Sequence, residues 1–397
     1  MLNFRQYIIE AKEMHPSEEK LTHLEHAEDH IINYGRKGFQ HAFHNLSDVH
    51  KSLKEKAPGT STVLVKHDGS PSIVWGHHPE TGKFFVASKS AFNKTPKINY
   101  THADIESNHG HAPGLVEKLG HALTHLPKVT PSKGVYQGDL MYTRGEGGDD
   151  VKEHGGKYHF KPNTISYSTP KSSEEGKKIS KAKIGILAHT AYHGDSFDNM
   201  KADYTPDLSH FKQHPDVHLF DNKQDFKKSN YTPKQQQEFT HHMKEAVKHY
   251  QKMPREGYDS LEPHKDHLKA YIDNTVRTGE TPSVEGFKQH ITSKAQKEID
   301  KVKTQSSKDK KTVDLNNRLN HIDDNKQHIN SALGMHHHLQ KAKDVLVNAL
   351  GNSEHKYEHH INNKPSKPEG YVVVRHGRPT KLVDRAEFSK ANFAARG

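Results

Sequence analysis

The sequence contains no cysteine among its 397 residues. Disulfide bonds and thiolate metal sites are therefore excluded, which is typical of a protein of the reducing cytoplasm. Apolar residues are also scarce, since they make up 31% of the chain and the mean hydropathy is −1.00. No apolar run is long enough for a signal peptide or a membrane span. We therefore expect a soluble cytoplasmic protein with no membrane partner, part of which is elongated or heavily solvated.

Positive charge is in excess. Lys and Arg number 59 against 49 Asp and Glu, which gives a formal net charge of +10 at pH 7. The 37 histidines add further positive charge when the pH falls. This balance favours a nucleic acid or nucleotide partner, because basic side chains neutralise phosphates. The alternative is a basic protein that attracts only counterions.

The sequence divides into segments of different character. Residues 1–60 show helical spacing of apolar residues and are expected to pack on the core that follows. Residues 61–199 contain short strands separated by Gly, Pro and Asn, and strand patterns return at 361–397. Residues 200–360 are polar with helical periodicity, apart from a predicted linker at 304–312. We predict an α+β fold with a largely antiparallel sheet, whose discontinuous core is interrupted by a helical insertion.

A lysine stands at the end of an apolar strand. Residues 61–66 read as a buried strand, and Asp68-Gly69 begins the turn that ends it. Partial desolvation of Lys66 at such a position favours the neutral amine, which can attack phosphorus. The tetrapeptide Lys66-His67-Asp68-Gly69 alone also suits an ordinary surface hairpin, so its meaning depends on other motifs.

Four further motifs follow in order. They are Ser88-Lys89 closing a strand, Gly138-Asp139-Leu140 inside another, Glu369-Gly370-x-Val opening a third, and Lys381 in a late strand. Together with Lys66-x-Asp-Gly these motifs resemble those of the covalent nucleotidyltransferase superfamily, which contains ATP-dependent DNA ligases, RNA ligases and GTP-dependent mRNA capping enzymes. The resemblance covers about 61–190 and 369–390. It implies a mainly antiparallel-sheet nucleotidyltransferase core, of the ATP-grasp-like ligase kind, with a large helical insertion.

The resemblance implies a reaction as well as a fold. Lys66 would attack the α-phosphate of ATP, expel pyrophosphate and become a lysyl-adenylate, with Mg²⁺ or Mn²⁺ as cofactor. The nucleotide would then pass to a 5′-phosphate end, and a 3′-hydroxyl would displace it. Each step is an in-line displacement at phosphorus, in which positioning and charge neutralisation supply most of the acceleration.

The resemblance also suggests roles for the other matched residues. Asp139 would hold the ribose hydroxyls or a metal-bound water, and Glu369 would orient the metal. Lys381 and Lys89 would contact phosphate. The simpler alternatives are a strand-edge carboxylate for Asp139, a turn before an edge strand for Glu369, and solvent-exposed lysines.

The nucleobase requires an aromatic ring to stack on. Phe160 and Tyr167 are the candidates, although most strand aromatics belong to the core. Lys161 and Asn163, beside Phe160, would line the same pocket, which Asp68 and Gly69 of the first motif would complete.

Departures from the pattern favour RNA ligases, several of which large bacteriophages encode. The Gly of the first motif is followed by Ser70 and Pro71, where DNA ligases usually have an Arg, and few residues remain after Asp384 for an OB-fold domain. We therefore expect RNA rather than DNA as the partner, in the host cytoplasm if a phage encodes the chain. Two alternatives stay open: transfer of the nucleotide to another acceptor, as in capping, and a non-catalytic nucleic-acid-binding or virion-associated protein with a degenerate nucleotidyltransferase fold.

Runs of histidine occur at 336–338 and 359–360. Consecutive side chains on a helix diverge by about 100°, so such a triplet does not form one set of metal ligands. We expect a solvated helix face there.

Overall fold

The computed structural model describes residues 24–145 and 148–385. Residues 1–23 of the predicted N-terminal helical segment and residues 386–397 of the predicted core lie outside the described residues. The fold is mixed α+β, as predicted. Among the described residues the α-helices are α1 (His30–Glu55), α2 (His102–His109), α3 (Pro113–His125), α4 (Glu174–Ile179), α5 (Pro233–Lys252), α6 (Lys265–Thr278), α7 (Val284–Asp300), α8 (Gln305–Asp324) and α9 (Lys326–Gly351).

The strands within the described residues form three sheets. They are β1 (Thr62–Lys66), β2 (Ser72–His77), β3 (Phe84–Ala87), β4 (Val135–Gly145), β5 (Gly148–Asp149), β6 (Val151–His154), β7 (Lys157–Phe160), β8 (Ser166–Pro170), β9 (Ile184–His193), β10 (Lys201–Asp203), β11 (Val217–Leu219), β12 (Glu358–Ile361), β13 (Lys364–Ser366), β14 (Gly370–Arg375) and β15 (Arg378–Val383).

The first sheet is antiparallel and has the order β1-β14-β15. It joins strands from opposite ends of the chain. Alternate residues of these strands face opposite sides. Val63, Val65, Tyr371, Val373 and Leu382 pack on one side into the core that α1, α5 and α9 share. The opposite side faces the second sheet.

The second sheet has seven strands in the order β10-β9-β4-β2-β3, with β5 on β4 and β11 parallel to β9. Its outer side is covered by α2 and α3 through a cluster that includes Trp75 and Leu119. On its inner side Val74 and Phe85 pack with Leu64 and Val374 of the first sheet. The two sheets therefore enclose a cleft that is filled by apolar side chains at one end.

The third sheet has the order β13-β12-β8-β7-β6. Its aromatic side chains, including Phe160, Tyr167 and Tyr357, pack against Met141 and Leu187 of the second sheet. Its strands β7 and β8 are adjacent along the chain and are joined by the residues between Phe160 and Ser166.

The helical portion is shorter than the predicted insertion 200–360. Residues 200–232 contribute β10 and β11 to the second sheet, and helices occupy 233–351 before β12 and β13 return. The predicted linker at 304–312 is wrong, because α8 begins at Gln305. This helix packs beside α7 and buries Ile322, a contact that its local composition does not reveal.

Local sequence signals explain several helix boundaries. Thr232 and Gln235 form a reciprocal capping box before α5, and Thr101 and Asp104 do the same before α2. Gly35 interrupts α1 with a φ of 56°, a conformation that residues with a side chain rarely adopt. No helix in the described ranges combines the length and apolar character needed to cross a bilayer.

Candidate active site

The first sheet directs two lysines into the cleft between the sheets. Leu64 pairs with Val372, and Val372 pairs with Lys381. Lys66 lies two residues beyond Leu64, on the same face. Strand alternation therefore brings Lys66 and Lys381 to one side of the sheet, opposite the side that packs on the helices.

The ammonium group of Lys66 contacts the carboxylate of Glu369. This follows from the register, because Lys66 pairs with Gly370 and Glu369 immediately precedes it. The side chains are 29% and 20% exposed. Burial raises the pKa of the Glu369 carboxyl, while attraction to Lys66 opposes the rise. Two residues that lie 303 positions apart in sequence thus meet at the open end of the cleft.

Asp68 anchors the turn that follows Lys66. Its carboxylate accepts hydrogen bonds from the side-chain amide of Asn163 at 2.9 Å, from the backbone N–H of Thr164 at 2.8 Å and from that of Ile165 at 3.1 Å. Its own N–H donates to the Tyr167 hydroxyl at 2.7 Å. The turn is therefore tied to the loop between β7 and β8.

Gly69 allows this turn to approach β4. A Cβ atom at this position would lie 2.6 Å from the Asp139 Cβ and 2.9 Å from the Met141 sulfur. The Ser70 N–H donates to the Leu140 carbonyl at 2.9 Å, which holds the approach. The first motif thereby brings Asp139 close to Lys66.

Asp139 lies in β4 opposite Ser72, and its side chain is 25% exposed. Burial raises the pKa of its carboxyl. This effect is outweighed by attraction and hydrogen bonding from His189, by a hydrogen bond from Ser72 and by attraction to Lys66. The pKa of the Asp139 carboxyl is therefore held below its usual value. The carboxylate is therefore charged at neutral pH.

Lys381 is largely enclosed. Burial lowers the pKa of its ammonium group, and repulsion from Arg385 and Lys66 lowers it further. The negative charges of Asp29 and Glu28 partly offset this decrease. Its backbone N–H donates to the Glu25 carbonyl at 2.9 Å. The strand that carries it is thus attached to the segment before α1.

Two predicted residues lie apart from this group. Lys89 is exposed at the start of the short 3₁₀ turn after β3. β3 ends at Ala87, which pairs with Val74 of β2, so Lys89 lies beyond the paired residues of these strands. Lys161 is likewise exposed beyond β7.

The prediction that Phe160 stacks on a nucleobase does not fit its position. Its ring is 2% exposed and is surrounded by Tyr142, Tyr167, Phe220 and Tyr357. A base cannot reach it without displacing core side chains. Tyr167 is fully buried as well, and its hydroxyl accepts the hydrogen bond from the backbone N–H of Asp68.

Sequence reasoning missed His189. Its Nε2 lies 3.5 Å from an Asp139 carboxylate oxygen, and its Nδ1 lies 2.8 Å from the Thr190 hydroxyl. No sequence motif marks this residue. It reaches the cleft because the pairing of β4 with β9 is irregular at this point, which local sequence does not reveal.

The histidine runs are not simply solvated. His336 has no exposed side-chain area and bonds to Asp29 at 2.9 Å, and His359 is 4% exposed beneath Tyr167. The expectation of a solvated face is wrong for these two residues. No group of three or more His, Asp or Glu side chains within 24–145 and 148–385 could hold a metal ion.

A surface groove of about 1170 Å³ opens beside the cleft. Its lining includes Leu64, His189 and the exposed lysines Lys181, Lys212 and Lys223. Acidic side chains of the same lining give it a mixed charge.

The chain belongs to a family of unknown function, DUF6267, whose model matches residues 21–396. No curated protein and no solved structure matches it.

Proposed function

We propose that this protein is an ATP-dependent polynucleotide ligase of the RNA-ligase type, acting through a Lys66-adenylate. The observation that supports this most is the contact of Lys66 with Glu369 at the mouth of a cleft that Lys381 also enters. An amine, a carboxylate and a second cation on adjacent strands are what a covalent nucleotide transfer requires.

Lys66, Glu369 and Lys381 have different roles in the proposed reaction. The Lys66 ammonium first gives a proton to the Glu369 carboxylate that it contacts. The neutral amine then attacks the α-phosphorus of ATP, a P–N bond forms, pyrophosphate leaves with the electron pair of the broken P–O bond, and the second N–H proton is released to solvent. Glu369 accepts a hydrogen bond from the Lys66 ammonium and orients it. Lys381 neutralises charge that grows on the α-phosphate during the displacement.

The two cleft carboxylates fit a magnesium ion. Asp139 and Glu369 are partly exposed and lie near Lys66, and Mg²⁺ characteristically binds one or two carboxylates together with substrate phosphates. When bound, the ion supplies charge neutralisation at the phosphates.

A polynucleotide acceptor suits the surroundings of the cleft. The chain carries a formal net charge of +10, and the lysine-lined groove opens at His189. Basic side chains along a groove contact successive phosphates of a strand. The 5′-phosphate end would enter from this side.

The test is covalent labelling of the full chain with α-labelled ATP and a divalent metal. We expect label that resists alkali and is released by acid, as a P–N bond requires, on the wild type, none on Lys66→Ala, and full label on the control Lys152→Ala, an exposed strand lysine of β6. Equal labelling of Lys66→Ala would refute the assignment.

The same assay separates the alternatives. Labelling by GTP instead of ATP would indicate a capping-like transfer. Absence of label with every nucleotide and metal, combined with tight binding of polynucleotide, would indicate the non-catalytic alternative.

A further inference from the structure

His189 occupies an irregular position in β9. Gln137 of β4 pairs with Thr190, whereas the next residue, Gly138, pairs with Ala188, so His189 has no partner in the register. A bulge of this kind redirects the side chain of the extra residue. Here it turns an imidazole toward Asp139 on the neighbouring strand.

The imidazole is held at its far nitrogen. Nδ1 lies 2.8 Å from the hydroxyl of Thr190, a residue that is 2% exposed. When a metal ion replaces the Nε2 proton that faces the Asp139 carboxylate, 3.5 Å away, Nδ1–H donates to the Thr190 hydroxyl and the Nε2 lone pair binds the ion. A hydrogen bond at the second ring nitrogen is the feature that fixes the tautomer of metal-binding histidines.

The separation of the two atoms suits one bound ion. Ligand atoms about 2.1 Å from an ion are about 3.0 Å apart when they meet at right angles. The observed 3.5 Å requires only a small closure. The His189 and Asp139 side chains are 29% and 25% exposed, so an ion can enter from the cleft.

We propose that Asp139 and His189 form a site for a divalent transition metal, with Mn²⁺ preferred to Mg²⁺. Imidazole nitrogen suits first-row transition metals, whereas Mg²⁺ selects oxygen ligands. No third carboxylate or imidazole completes the site within the described residues, so water and phosphate oxygens fill the remaining positions. The site rests on this geometry, while its use in nucleotide transfer rests on the proposed function.

Binding of Mn²⁺ to the full chain, without nucleotide, tests the site. The free ion has a paramagnetic resonance signal that disappears on binding, and competition with Mg²⁺ gives the preference. Mn²⁺ is the suitable probe because it binds stray histidines more weakly than later metals do. We expect His189→Ala and Asp139→Asn each to weaken Mn²⁺ binding by about 10-fold or more.

Two further variants separate ligation from a structural role. His189→Gln retains a polar side chain with an oxygen donor and should lose the preference for Mn²⁺ while retaining Mg²⁺ binding. His193→Ala, in the same strand and 3.9 Å from Asp203, should bind Mn²⁺ as the wild type does. Wild-type Mn²⁺ affinity and preference in folded His189→Ala or His189→Gln would overturn the proposal.

The outcome is independent of the labelling test. Loss of Mn²⁺ binding in His189→Ala would establish the metal site even if Lys66 were never labelled. Labelling of Lys66 together with Mn²⁺ binding that is indifferent to His189 would remove the metal site and leave the proposed function intact.

Discussion

Lys343 and Glu28 form an ion pair in the interior of the protein, with 3.1 Å between Nζ and Oε1 and no exposed side-chain area on either residue. Lys343 belongs to α9, and its ammonium also donates to the Val383 carbonyl at 2.7 Å, at the end of β15. The helical portion is thus joined through a buried charge to the strand that carries Lys381.

We expect Lys343→Ala to lower the free energy of unfolding by about 3 kcal/mol, because a buried carboxylate then loses its partner. The loss is at the lower end for broken buried pairs, since Arg385 remains 3.7 Å from Glu28. The double variant Lys343→Met with Glu28→Gln should recover most of it. Urea unfolding measures both, and a double variant less stable than Lys343→Ala would contradict this account.

Gly69→Ala should disturb the site. The new methyl group would lie 2.6 Å from the Asp139 Cβ, so the turn after Lys66 must move away from β4. We expect a loss of about 1 to 3 kcal/mol in stability and slower labelling of Lys66. Gly114→Ala, where a Cβ meets nothing within 4 Å in α3, is the control and should be neutral or stabilising. Unchanged labelling in Gly69→Ala would show that the close approach is dispensable.

The buried imidazole of His67 should lower the free energy of unfolding as the pH becomes acidic. Burial, more than repulsion from His355 and Lys66, lowers the pKa of its imidazole to about 4, against 6.5 in the unfolded chain. Below pH 6.5 the unfolded chain binds a proton that the folded protein does not, so stability falls between about pH 6.5 and 4, by up to about 3 kcal/mol.

The variant His67→Phe should reduce this acid loss. It removes the titrating group, and the Val65 carbonyl that His67 contacts keeps a donor in the Asn222 amide at 3.2 Å. Urea midpoints at pH 7.5, 6 and 5 provide the measurement. An acid loss as steep in the variant as in the wild type would assign it to other groups.

Lys381→Met should slow formation of the lysyl-adenylate by about 10²-fold, the usual cost of removing one group that stabilises transition-state charge. The unfolding free energy should change little, since Met retains the stem of the side chain. Lys364→Met, an exposed lysine of β13, is the matched control. The rate of single-turnover labelling is measured for both variants. Equal rates in Lys381→Met and Lys364→Met would show that Lys381 does not contribute to adenylate formation.

The lysine-lined groove predicts a salt dependence. Replacement of Lys181, Lys212 and Lys223 by Ala should reduce the slope of log K against log salt for single-stranded RNA by about 2. The exposed Lys297, Lys301 and Lys303 at the end of α7 form a control set with the same charge. A slope that changes equally with both sets would assign the effect to net charge alone.

Several elements could be anticipated because their signals are local. The strand ending at Lys66 and the turn at Asp68-Gly69 follow from an apolar run and a turn dipeptide. Glu369 could be placed before β14 for the same reason. The histidine at 189 could not, because a bulge in the pairing of two strands directs it.

Predictions of side-chain exposure were wrong for residues that another element covers. Phe160 and His336 occupy positions whose exposure depends on which element covers them, and both are covered. Residues 305–312 are mostly exposed, but they form the first turns of a helix that continues to the buried Ile322, beyond the polar segment.

The sequence by itself determined the strand ends, the turns and the order of the charged motifs, because neighbouring residues control backbone conformation. Only the tertiary structure decided that Lys66 meets Glu369, that His189 faces Asp139 and that Lys343 is buried against Glu28. These pairs lie far apart along the chain, so their approach depends on strand register and on the packing of one layer on another.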